Sequence, residues 1–463
     1  MAYQSGSVDS RSSLGIGESM NLFDMPSVDV GVSRVRYVEY KPMNQLNQDV
    51  GLEFEIPNNG NRYIDLRRTY LMCKVRIKQA DGTDLPEVPQ PGEVDADKSI
   101  ANVAPVNNLE HSLYSQVDVY FQKKLVTTSN SNFAYEAYLN TLLKYERSAK
   151  LTHLQSQLWF KDQGNVEATG PLSTEGGSNP GLVLRGVYVS KSKTVDMIAP
   201  IMTDVMTMNR YLLNGIEVKL RFWPTSPAFH LMSGATDPKY KTELVDASLS
   251  VCFVTPTPEL LISHQEVMSK KKWLAIYPYQ KTDVKKYSIS KGHFSFSIDN
   301  VYLGNVPTRL LVGLVSEEAA NGCYTKNPFS FKHYDMKTLC VTVDGESVPD
   351  KPFTMNYGKD SYESNFVEAY SALYGRERSS DDRDGGLDIT RNDFFNGYTI
   401  YAFDMEPDIK EEDDGTVWPT FKKGNVRIDM SFAKATPETV AVILYATFPT
   451  AFKVDHTRAV ILV

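Results

Sequence analysis

"VNNLEHSLYSQVDVYFQKKLV", residues 106–126, opens as a polar turn and continues as a strand. Val117, Val119 and Phe121 alternate with Gln116, Asp118, Tyr120 and Gln122. That period of two aims one face at a core and the other at water. His111, Ser112 and Asp118 crowd the same stretch, so it reads either as a catalytic cluster or as architecture. The rest of the chain decides between the two.

The same alternation recurs along the sequence. "LEFEI" sets Leu52, Phe54 and Ile56 against Glu53 and Glu55, and "CKVRIK" sets Cys73, Val75 and Ile77 against Lys74, Arg76 and Lys78. "IEVKLRF" sets Ile216, Val218, Leu220 and Phe222 against Glu217, Lys219 and Arg221. Asp81-Gly82, Asn214-Gly215 and Asp344-Gly345 punctuate these runs as turns. Only two helices stand out, beginning near Asn132 and Asn365. An aromatic content of 11%, with 26 Tyr, suits strands better than helices. The fold class is all-β with long loops.

A weak internal repeat divides the chain. "NFAYEAYLNTLLKYERS" from Asn132 returns as "NFVEAYSALYGRERS" from Asn365, which pairs Glu136 with Glu368 and Tyr138 with Tyr370. In both copies the Asn is placed to cap a helix with Glu in its first turn. The stripe Ala134, Tyr138, Leu142 and Tyr145 is expected to face the protein. "GIEVKLRF" matches "GNVRIDMSF", and "SVCFVTPT" matches "LYATFPT", in the same order. The separations fall steadily from 242 (Phe54 to Phe296) to 193 (Pro256 to Pro449), as expected if the second copy has shorter loops. The reading is a flexible arm over 1–32, a first sandwich over 33–256 and a second over 257–463. "TPTPELL" (255–261) serves as the connector, its prolines ending a strand. Each half has room for about eight strands of ordinary length and one short helix. Two tandem eight-stranded jelly rolls are the expected architecture.

The 463 residues carry a formal net charge of −8, so broad direct contact with nucleic acid is not expected. Lys270, Lys271 and Lys272 form a short solvated cluster. The stretch "MAYQSGSVDSRSSLGIGES" lacks the pattern of a secretory signal, and no Gly follows Met1 for myristoylation. The longest apolar run, "TVAVILYATF" near 439, is half of the ~20 residues a membrane helix needs. Cys73, Cys252, Cys323 and Cys340 are far apart, which implies a reducing compartment of synthesis, no zinc and no disulfide framework.

Motifs for chemistry are missing. The seven His residues (111, 153, 230, 264, 293, 333 and 456) are scattered singly, and there is no GxSxG elbow, HExxH helix or GxxxxGK[ST] loop. The acidic segments at 379–388 and 404–415 do not fit a calcium-binding EF-hand loop and read as solvated surface. No cofactor, metal or catalytic residue is expected.

The opening stretch, followed by "YEAYLNTLLKY", closely resembles the major capsid protein of Polinton (Maverick) elements and the related adintoviruses. "YVEYKP" (37–42), "NRYIDLRRTYLMCKVRI" (61–77) and "IYAFDMEPD" (400–408) resemble the same family. The likeness runs from about residue 33 to the C-terminus; the arm and the loops at 82–104 and 164–182 match no pattern of it. The resemblance implies a double jelly roll similar to adenovirus hexon, in which three copies form a pseudo-hexagonal capsomer. It further implies a virion location after synthesis inside the host cell. Its partners would be other copies of itself and a single jelly-roll penton or minor capsid protein, and no catalytic residue carries over. Two other readings of tandem sandwiches remain: a carbohydrate-binding attachment module, and a tandem jelly-roll glycan-releasing hydrolase.

Overall fold

The computed structural model describes residues 31–46, 50–58, 60–86, 100–128, 130–173, 175–374, 387–405 and 422–462. Nearly all of the 1–32 arm, and most of both acidic segments, lie outside the described residues.

The strands of the first half are β1 (Val32–Tyr40), β2 (Leu52–Ile56), β3 (Tyr63–Gln79), β4 (Val103–Pro105), β5 (Tyr114–Phe121), β6 (Lys124–Leu125), β7 (Val195–Pro200), β8 (Val218–Pro224), β9 (Leu231–Ser233) and β10 (Tyr240–Pro256). Those of the second are β11 (Ala275–Ile289), β12 (Ser295–Ile298), β13 (Arg309–Ser316), β14 (Met336–Val343), β15 (Glu346–Thr354), β16 (Ile400–Asp404), β17 (Val426–Phe432), β18 (Val440–Val454) and β19 (Val460–Leu462). Period-two patterning explains their faces. Leu52, Phe54 and Ile56 are buried on β2, as are Cys73, Val75 and Ile77 on β3 and Val218, Leu220 and Phe222 on β8. Asp344 (φ 52°) and Gly345 (φ 92°) make the tight β14–β15 turn with positive φ at both positions, as such hairpins require.

Each half holds two sheets built on four-strand paths, and both halves share one topology. The first half has orders β1-β10-β3-β7 and β2-β8-β5-β6; the second has β11-β18-β13-β16 and β12-β17-β14-β15. Ranked along the chain, both halves read 1-8-3-6 and 2-7-4-5. This is the jelly roll, made twice. The small β4–β9 ladder joins two loops, and β19 adds to β18.

The helices are more numerous than the sequence suggests. They are α1 (Leu109–Ser112), α2 (Phe133–Lys144), α3 (Arg147–Lys150), α4 (Pro180–Val189), α5 (Pro227–His230), α6 (Pro258–Lys270), α7 (Glu317–Asn321), α8 (Val367–Leu373) and α9 (Arg391–Phe395). The expectation of one short helix per half is therefore corrected. The connector is also corrected: Pro256 does end β10, but Pro258 opens the 13-residue α6, a position that needs no amide hydrogen.

α2 and α8 both lie between the fifth and sixth strands of their jelly rolls, so they occupy the same place in the topology. Their caps differ from the expectation. Asn132 is the N-cap of α2 but its side chain does not cap; Nδ2 instead donates to the Val284 carbonyl at 2.9 Å. Asn365 bridges to Asn356, and Phe366 takes the N-cap position of α8. Residues 133–142 of α2 are all buried, so it has no solvent face along that length.

Candidate functional site

Val117, Val119 and Phe121 are 3%, 0% and 0% exposed on β5, inside the first jelly roll. His111, Ser112 and Asp118 of the same stretch are also buried. Ser112 Oγ donates to the Asn108 carbonyl at 2.9 Å. His111 Nδ1 lies 3.0 Å from Asn108 Oδ1, and Nε2 lies 2.9 Å from the Pro200 carbonyl. Burial lowers the His111 pKa to about 4, so the ring is neutral and carries one N–H. That N–H belongs on Nε2, donating to Pro200. A half-turn of the Asn108 carboxamide then lets Nδ2, otherwise without a partner, donate to Nδ1. Asp118 corrects the sequence reading: it is 4% exposed and accepts from Trp223 Nε1 and Gln116 Nε2, both at 2.8 Å. Trp223 and Arg221 of β8 cover the supposedly wet face. No nucleophile–base pair forms here, since His111, Ser112 and Asp118 each bond elsewhere. Glu110 is buried, and burial raises its pKa well above the ordinary carboxylate value. Among the described residues, no group of three or more His, Cys, Asp or Glu could hold a metal ion.

What the chain does build with care is the seam between its two jelly rolls. β11 is an edge strand, and an uncovered edge invites another chain to pair. Here the first jelly roll covers it. Thr128 Oγ1 donates to the Thr282 carbonyl at 3.3 Å, Asn130 Nδ2 donates to Val284 at 3.4 Å, and the Thr282 N–H donates to Asp204 Oδ2 at 2.7 Å. Apolar contacts cross in both directions. Tyr138 on α2 stacks on Phe329 at 4.1 Å, and Phe452 on β18 sits 5.4 Å from Phe121. Further along, Arg185 Nη2 donates to Asp162 Oδ1 at 2.6 Å, and Asn327 Nδ2 and Tyr398 Oη donate to the side chain and backbone of Asp162. Arg185, Asp162 and Tyr398 are at most 1% exposed.

The seam joins unlike surfaces, among them the segment after the fifth strand of jelly roll one and the first strand of jelly roll two. Among the described residues, their counterparts are more exposed. On β1, the first strand of jelly roll one, Val35 is 45% and Tyr37 55% exposed. After β15, the fifth strand of jelly roll two, Tyr362 is 89% exposed and Glu368 is also exposed, whereas Glu136 is buried. Tyr138 is 1% exposed; Tyr370 is only partly buried, with its hydroxyl donating to the Ile389 carbonyl at 3.0 Å. Sequence reasoning paired these positions but gave no signal that their surroundings differ.

No protein-family model matches the chain. It is similar to Uncharacterized protein F54H12.2 of Caenorhabditis elegans, 26% identical over 449 residues, 94% of this chain and 98% of that protein. Among solved structures, a chain from the Sputnik virophage cryo-EM structure aligns with a TM-score of 0.59 and 13% identity, over 99% of this chain and 94% of that one. The mavirus major capsid protein aligns with a TM-score of 0.53 and 10% identity, over 99% and 96%. The Faustovirus major capsid protein aligns at 0.53 and 10%, over 93% and 92%. The chain shares with them the double jelly-roll fold.

Proposed function

We propose that the chain is the major capsid protein of an icosahedral DNA virus or virus-like element of the Polinton and adintovirus kind, acting as a homotrimeric, pseudo-hexagonal capsomer. One observation carries this reading: a seam joins the two jelly rolls, and among the described residues the counterparts of its two surfaces are exposed. A contact between unlike surfaces leaves its complementary pair free at the two ends, and repeats until a ring closes. The exposed β1 edge of one copy then meets the exposed segment around Tyr362 of the next. Three copies supply six jelly rolls and close the ring. The double jelly-roll fold shared with viral major capsid proteins supports the same assignment. In this role the chain works by shape and needs no catalytic group. It resides in the virion beside a single jelly-roll penton or minor capsid protein, and its acidic balance leaves most genome contact to others.

Tyr37→Asp tests the pairing. Tyr37 is over half exposed in one chain, so the change is expected to cost the isolated fold within about 0.5 kcal/mol. At the seam it buries a carboxylate against another copy, and sedimentation is expected to show folded monomers. Trimers of normal stability carrying Tyr37→Asp would contradict the proposed pairing.

A further inference from the structure

Glu136 on α2 and Asp204, in the connection from β7 to β8, meet beside β11. Their carboxyls hydrogen-bond each other, and burial lifts Asp204 to about 6 and Glu136 well above the usual range. Lys144 from the same helix, and Lys281 and Asp283 from β11, also act on the pair. With every group ionised, one negative charge is in excess. The two carboxyls line a cavity of about 10 Å³ together with Thr203, Thr127, Thr128 and Asn130. That is room for one water or one bare ion. Thr203 is 4% exposed and its hydroxyl has no partner, although it stands at a helix N-cap where a hydroxyl ordinarily accepts an amide.

We propose that Glu136, Asp204 and the Thr203 hydroxyl form a calcium site in the seam between the two jelly rolls. The donors are all oxygen, which selects a hard cation. Magnesium keeps several waters in a strict octahedron, and the cavity has no space for them. Calcium tolerates irregular coordination, and the Thr127, Thr128 and Asn130 side chains that also line the cavity offer it further oxygens. The ion replaces the proton that the carboxyls otherwise share. It therefore clamps α2 to the connection that already caps β11. The site lies within one chain and does not depend on how copies assemble.

The full chain, stripped with EDTA and titrated with calcium chloride, tests this by two readouts. Elemental analysis is expected to find one calcium per chain that Asp204→Asn and Glu136→Gln both lose. The unfolding temperature is expected to rise by about 2–4 °C at about 5 mM calcium, with no rise in equal magnesium. Thr203→Val, which alters no charge, is expected to weaken binding about tenfold. Calcium retained in full by Asp204→Asn, or no calcium bound by the unmodified chain, would overturn the site.

Discussion

A chain carrying Val119→Asp is expected to accumulate as insoluble protein with no cooperative unfolding transition. Val119 is fully buried on β5, opposite Leu220, and its own N–H donates to Thr127 Oγ1 at 3.0 Å. No basic group is offered to a carboxylate there, so the charge costs several kcal/mol to bury unpaired. That is comparable to the whole stability of an ordinary domain, about 5–15 kcal/mol. Gln122→Asp, three residues on, is the control. Gln122 sits in the β5–β6 turn at φ 49°, a conformation aspartate adopts readily, and loses only a bond to the Gly215 carbonyl. It is expected to fold and assemble normally. Equal solubility of the two variants would show that β5 does not face a packed core.

Asp162→Ala is expected to cost about 3–5 kcal/mol, measured as a shift of the denaturant midpoint. The substitution leaves the Arg185 guanidinium, 0% exposed, without its counter-ion, and removes one of the two acceptors of Asn327 Nδ2. Asp162 belongs to the first half and Asn327 to the second, so the loss falls on the seam. The two jelly rolls are then expected to unfold at separate midpoints. A cost below about 1 kcal/mol would mean that solvent reaches the pair.

The strands were legible because alternation survives in sequence: β2, β3, β5 and β8 bury the residues their period marks. The repeat was legible through collinear order, and the strand orders of the two halves are identical. Asp118 was misread because alternation reports which side of a strand is polar, not what lies over it, and Trp223 lies over it. The start of α4 carries readable signals: Pro180 follows Asn179, whose Oδ1 accepts from the Leu182 N–H at 3.3 Å. The start of α6 likewise shows Pro258 and an acidic first turn. The seam was illegible for a different reason. Glu136 and Glu368 look alike in sequence, but one is covered by the other half of the chain and one is not. Only the fold makes that difference visible.

Native mass spectrometry of the purified chain at micromolar concentration tests the central claim most directly. An interface that repeats the internal seam should bury well over about 2,000 Å² and persist at that dilution. The account predicts one dominant species of three times the 52.1 kDa chain mass, with neither dimers nor open chains of copies. A stable monomer would contradict it.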